Sequence, residues 1–367
     1  MKRYCKNIDI ADPKICEKAI QKCFKKKSKK DMKRADIVRC FQRYGTEENM
    51  ALQMSKEIRA HRLNLPPISW EHRRDKSNGK LRLVGVEDIW QQFYDNLACI
   101  GLEDLERRIG KYQCACLKGR GSKWGKEQIE LWLSEGNIRV IHQYDITKNY
   151  ENTSRENVMA FLRYHIKNDA LLWLIDELLK TSQKGLIIGS VLSVSLNALY
   201  ISQIYHFIED DLYKIRRHKN GRDERIQLAA HQIFFVDDFA IYCTSFKNAE
   251  MADKRIRAYA EKLGYHLHDY IRKTAVSQKT YQDMMGYRMY SDHTTMRRRN
   301  YIKTKRALRN FDRRPTLHNA RKVVSFNGFI KSTNSFRFRK KYHAKRIVKR
   351  ARRYVSRHDK SIICGKT

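Results

Sequence analysis

The chain has 367 residues, 41% of them hydrophobic, enough to bury a sizeable core in one multi-lobed unit or in two to three subdomains. Its 77 lysines and arginines outnumber 40 acidic residues, a formal charge of +37, so a polyanion is the expected partner, nucleic acid first and an anionic membrane surface second. No apolar run is expected to reach the ~18 residues of a membrane span, and the N-terminus lacks the apolar stretch of a secretory signal. Nine scattered cysteines without a CxxC pair argue against a zinc site and for a reduced, cytoplasmic setting.

Residues 1–65 read as a basic helical extension containing the lysine cluster KKKSKKDMKR at 25–34. Residues 68–86, ISWEHRRDKSNGKLRLVGV, predict a β-hairpin turning at Asn78-Gly79, a dipeptide suited to two-residue turns. The returning strand puts Lys80 and Arg82 on one face and Leu81 and Leu83 on the other, and a helix follows through Trp90, Phe93, Tyr94 and Leu97. IRVIHQYDI, residues 138–146, predicts a strand ending at Asp145. Thr153 followed by Glu156 has the spacing of a capping box, opening a helix through Val158, Phe161 and Leu162, with a second helix over 169–180. KGLIIGSVLSVSLNALYISQIYHFI sets a glycine turn before a long apolar helix.

Residues 232–244, QIFFVDDFAIYCT, form an apolar hairpin with Asp237 and Asp238 at its tip, then a helix over 249–263 and a strand over 284–290. This order gives an α+β class, an antiparallel sheet covered by helices on one face. From 291 to 367 there are 25 lysines and arginines against 3 acidic residues. Apolar residues recur among them at helical spacing, which predicts a basic helical lobe with a modest core.

Two adjacent carboxylates in an apolar run repel, and burying them costs several kcal/mol unless a cation or hydrogen-bond donors compensate. An ordinary turn would also account for Asp at a hairpin tip. Asp145, at a strand end 92 residues before Asp237, tilts the choice. Three carboxylates on neighbouring strands can hold two Mg²⁺ ions, hard cations that take oxygen ligands, and such a pair supports in-line displacement at phosphorus.

These motifs, in this order, resemble the bacterial and phage reverse transcriptases of the group II intron, retron and diversity-generating-retroelement branches over roughly residues 68–345. KLRLVGV resembles their fingers strand, KYQCACLKGRGSKWG at 111–125 the next fingers motif, and YDITKNY the palm strand. IIGSVLS looks like the Gly-xxx-Ser turn, FVDD the Tyr/Phe-x-Asp-Asp motif, EKLGYHLHDYIRKT the following LG…KT element and MGYRMY the primer grip. SFNGFIKSTNSFRFRKKY resembles the thumb segment.

The resemblance implies a right-hand polymerase with fingers (66–140), an antiparallel-sheet palm (141–290, with a finger insertion around 155–185) and a helical basic thumb and tail (291–367). It implies that Asp145, Asp237, Asp238 and the backbone of Ile146 hold two Mg²⁺ ions, with Mn²⁺ as a substitute. Lys80 and Arg82 would neutralise the triphosphate, and Tyr150 would exclude a ribose 2′-hydroxyl. Gly189 would allow close approach of the nucleotide. Lys273 would protonate the leaving pyrophosphate, against the alternative of a surface lysine two residues off the usual spacing.

The implied activity is RNA-directed DNA polymerisation, with an RNA template, a DNA or RNA primer and dNTPs as partners. A cognate structured RNA is a further candidate partner, and no membrane is expected. Alternatives are a defence-associated or template-relaxed polymerase of the same fold, and an RNA-binding maturase-like protein with little polymerase activity. The chain departs from the family pattern at Asn149-Tyr150-Glu151-Asn152-Thr153, at Val194 and at Ile188, which bears on subfamily and template dependence. Viral-type RNA polymerases would carry Asp where Tyr150 stands and Gly where Val236 stands.

Overall fold

A computed structural model describes residues 3–74, 79–182, 185–269 and 272–364, with side chains to His358. It is a mixed α/β protein of helices and several small sheets. The N-terminal helices are α1 (Pro13–Phe24), α2 (Ala35–Tyr44) and α3 (Glu47–Arg59). Asp12 caps α1 by accepting the Lys14 amide, and Pro13 occupies the first turn, where its missing N–H costs nothing. Cys16, Ala19, Ile20 and Cys23 fall on one face and are buried, packed against α3 and α4 (Ile89–Gly101). Residues 1–65 therefore contribute to the central core rather than standing apart from it.

Strands β1 (Ser69–Arg74) and β2 (Leu81–Val86) pair antiparallel, in register from Ser69↔Val86 to Arg74↔Leu81. This hairpin is largely exposed. The expected turn at Asn78-Gly79 lies partly outside the described residues.

Chain order then continues through β3 (Gln113–Cys114), α5 (Ser122–Ser134), β4 (Val140–Asp145), α6 (Asn149–Asn152), α7 (Arg155–His165), α8 (Asp169–Lys180) and α9 (Val191–His206). Next come β5 (Tyr213–Arg217), β6 (Asp223–Gln227), β7 (His231–Phe235), β8 (Asp238–Cys243), α10 (Phe246–Lys262) and β9 (Arg272–Ala275). The central sheet has the order β3-β7-β8-β4-β9, antiparallel except for β3 beside β7. Alternation along its strands feeds two cores. Val140, Tyr144, Phe239, Ile241 and Cys243 pack toward α9 and α10, with Tyr144 stacked on Phe239 at 4.6 Å. Ile141, Ile233, Ala240 and Tyr242 pack toward α5. Helices thus cover both faces, not one, because every second residue is apolar on each side.

Three local expectations change. Residues 284–290 are not one strand: β10 (Gln282–Met284) turns through Met285 and Gly286, both at positive φ, into β11 (Tyr287–Met289), which pairs with β12 (Thr294–Met296). The cap of α7 is Ser154, which accepts the Asn157 amide, while Thr153 donates to the Asn149 carbonyl and closes α6. And Val191–Asp211 is, by length and composition, apolar enough to cross a membrane, contrary to expectation. Here 67% of its apolar window is buried in the core, against α4 among others.

The C-terminal lobe comprises α11 (Arg298–Arg313), α12 (Leu317–Lys331), α13 (Phe336–Lys341) and α14 (Ala344–Cys364). Leu308, Phe311, Val323, Ile330, Ile347 and Ala351 form its own core. The lysines and arginines between them point outward, for example Lys345, Lys349, Arg352 and Arg353 on α14.

Candidate active site

The site is built where two strand ends and one turn converge. β4 and β8 run antiparallel with Asp145 and Asp238 as direct partners, one step beyond Tyr144↔Phe239. Cross-strand partners point to the same face of a sheet, so the pleat brings these two carboxylates together. β7 and β8 are joined by a two-residue turn, Val236-Asp237, closed by the pair Phe235↔Asp238. Val236 adopts φ +61°, a left-handed conformation costly for a β-branched residue, about 1–3 kcal/mol. The turn's other residue, Asp237, is half-buried.

The electrostatics agree with convergence. Asp238 is pushed up to about 7, first by burial and then by the charges of Asp237 and Asp145, with Arg297 pulling the other way. Asp237 is raised by burial and further by Asp145, while Arg82 on β2 lowers it. Tyr150 on α6 is raised to about 12 by burial and then by Asp237. Asp145, Asp237, Asp238, Tyr150 and Arg82 therefore share one electrostatic neighbourhood.

The remaining expected residues divide. Ile146 follows Asp145 and bridges to Leu267, while the Asp145 carbonyl accepts the His268 amide. Gly189 has φ +116°, and a Cβ there would lie 2.9 Å from the Gly85 carbonyl oxygen and 3.0 Å from Val84 Cγ1. Only glycine lets this turn touch β2 so closely. Lys80 lies just before β2. Lys273 is not brought to the carboxylates. It sits opposite His142 on β9, three positions up β4 from Asp145 and so on the other face of the sheet, where its Nζ pairs with Glu250 at 2.6 Å. Its expected role as proton donor is not supported by this geometry.

The sequence reading missed Arg297, whose charge reaches Asp238 and whose guanidinium binds Asp283. It also missed Asn149, which is buried with both side-chain polar atoms unpartnered. A buried amide beside Tyr150 is a costly choice, and a polar residue inside YDITKNY was the available signal.

Among the described residues no group of three or more His, Cys, Asp or Glu side chains is gathered closely enough to form a ready metal cage. The donor set nevertheless suits a hard divalent cation. Aspartate oxygens are the ligands Mg²⁺ takes, and burial first, then neighbouring carboxylate charge, raises both Asp237 and Asp238.

No protein-family model and no curated protein matches the chain. Among solved structures it is similar to the telomerase from Candida albicans in complex with the TWJ fragment of telomeric RNA, at 12% identity and a TM-score of 0.45. That likeness covers 81% of this chain and 61% of the telomerase chain, and at this level it decides neither fold nor function.

Proposed function

We propose that the protein is a nucleotidyltransferase of the RNA-directed DNA polymerase class, extending a primer with dNTPs on an RNA template. The observation that carries this reading is the register Asp145↔Asp238 beside the strained Val236-Asp237 turn, with Tyr150 and Arg82 in the same neighbourhood. In this reading the central sheet is a palm, the β1–β2 hairpin belongs to fingers, and the basic lobe of α11–α14 is a thumb that holds the primer–template duplex.

Asp145, Asp237 and the Ile146 carbonyl would hold Mg²⁺, with Asp238 as a third, weaker ligand. Bound there, the ions would supply activation of a 3′-hydroxyl and charge stabilisation at a departing pyrophosphate. The chain's own groups do the rest. Arg82 and Lys80 offset the triphosphate's charge, the Tyr150 ring occupies the space a 2′-hydroxyl would need, and the bare Gly189 backbone leaves room for the nucleotide. The basic lobe grips phosphates without reading sequence. The described cysteines are free thiols, all but Cys116 buried, which suits the reducing cytoplasm we assign to it.

The test is primer extension by the full chain on matched RNA and DNA templates, with and without divalent cation. Divalent-dependent dNTP addition on the RNA template supports the reading. Binding of RNA with no incorporation under any metal would favour an RNA-binding protein on a polymerase scaffold.

A further inference from the structure

The turn leading into α9 carries two glycines at positive φ, and they meet different elements. Gly189 rests on β2, whereas Gly185, at φ +52°, meets α6. A Cβ on Gly185 would lie 2.3 Å from the Tyr150 carbonyl oxygen and 2.7 Å from the Glu151 carbonyl oxygen. Both neighbours are backbone atoms, so no change of rotamer makes room, and a side chain would be strained at this φ in any case. The next residue closes the contact. The Leu186 amide donates to the Tyr150 carbonyl at 2.8 Å, and the Leu186 side chain is buried in the central core.

The α6 turn needs such a seat. It is four residues long, entered through Lys148 at φ +45° and closed by the Thr153 amide and hydroxyl, which donate to the Asn149 carbonyl at 3.0 and 2.7 Å. A single helical turn does not hold itself, because nucleation fixes several dihedrals for one hydrogen bond. The Asn149 side chain, buried without a hydrogen-bond partner, does not anchor it either.

The turn from Gly185 to Ser190 is better held. The Ile187 amide donates to Ser193 Oγ at 3.0 Å, the Ser190 amide to the Ile187 carbonyl at 3.3 Å, and the Gly85 amide to the Ile188 carbonyl at 3.0 Å. Where the two elements press on each other, α6 is therefore the one that yields.

Resting on the polymerase reading above, we propose that Gly185 is a positioning residue for sugar selection. Its bare backbone seats the α6 turn and so holds the Tyr150 ring where a 2′-hydroxyl would fall. The two glycines divide the work of one turn: Gly189 fixes β2, which carries Arg82, and Gly185 fixes Tyr150. A Cβ at position 185 displaces α6 through its carbonyls and lets the ring retreat from the sugar, while the ring itself is unchanged.

The experiment measures kcat/KM for dATP and ATP, which differ only at the 2′ position, on a poly(rU)–oligo(dA) substrate. Wild type, Gly185→Ala, Tyr150→Ala, the double variant and Gly328→Ala are compared as full chains below every thermal midpoint. Gly185→Ala should raise the ATP/dATP ratio about threefold or more. Gly328→Ala, with nothing within 4 Å of its added Cβ, should leave the ratio unchanged. The double variant should match Tyr150→Ala alone, because the position of an absent ring no longer matters. Equal losses with both nucleotides in Gly185→Ala, as a merely structural role would give, overturn the inference. A Gly185 effect that persists in full without the Tyr150 ring overturns it too. Should the wild type incorporate neither nucleotide, the polymerase reading is what fails. In that case, or should Gly185→Ala not fold, amide hydrogen exchange of the wild type judges the seat: the Leu186 and Thr153 amides should open together, with equal protection. A Leu186 amide that exchanges freely beside a protected Thr153 amide overturns it.

Discussion

Asp145 and Asp238 face each other as direct cross-strand partners at the end of the β4–β8 ladder, the one place among the described pairs of this ladder where two like charges meet. Like charges in that position destabilise a sheet, and both strands otherwise carry mostly apolar residues at their paired positions. The arrangement has a cost in folding.

Tyr150→Ala should relax sugar discrimination. The charge of Asp237 reaches Tyr150, and in the proposed polymerase reading removing the ring opens the space next to the reacting nucleotide. Ribonucleotide incorporation relative to deoxyribonucleotide should rise by about tenfold or more, with Tyr150→Phe near wild type. An unchanged rNTP/dNTP ratio in single-nucleotide addition would remove the steric role.

Gly189→Ala should both destabilise the protein and raise KM for dNTP. The added Cβ meets the Gly85 carbonyl at 2.9 Å with φ at +116°, a combination worth about 1–3 kcal/mol. Gly328→Ala, with nothing within 4 Å and a helical backbone, is the control and should be neutral or slightly stabilising. Equal thermal midpoints for the two variants would contradict the close approach.

The basic lobe should make nucleic-acid binding steeply salt-dependent. Changing Lys345, Lys349, Arg352 and Arg353 to Gln leaves the apolar side of α14 intact. It should weaken primer–template binding and make the log–log salt slope shallower by about 0.9 for each phosphate no longer neutralised. A slope identical to wild type in a filter-binding titration would show that the duplex lies elsewhere.

His165 should make the fold acid-sensitive. Burial, then the charges of Arg108 and His206, lowers it from 6.5 to about 4. The unfolded chain thus binds a proton that the folded chain refuses, and stability falls as pH drops from 6.5 toward 4. His165→Asn should lose less of its thermal midpoint than wild type over the same interval. Parallel loss would place the acid sensitivity in other groups.

Much of this was legible in the sequence, because period-2 and period-3.6 patterns are local. The strand ending at Asp145, the hairpin at Asp237-Asp238 and the helix over 169–180 are all visible that way, as is a separate core within the basic lobe. What the pattern could not supply is spatial. Lys273 has the right neighbours in sequence, yet one residue of strand parity sends it to Glu250 on the far face. Residues 284–290 read as one strand because the positive φ of Met285 leaves no compositional trace beyond Gly286. The N-terminal helices were expected, but their place in the central core was not legible because α1 is buried against α4, an element distant in the chain.

The most direct test of the central claim is dNTP incorporation on an RNA template by Asp237→Asn beside wild type, with thermal unfolding in divalent-free buffer as the folding control. The account predicts that the variant is at least as stable as wild type, since a repelling charge has been removed, and that incorporation falls by about a thousandfold or more. Incorporation at the wild-type rate by a folded Asp237→Asn protein would contradict it.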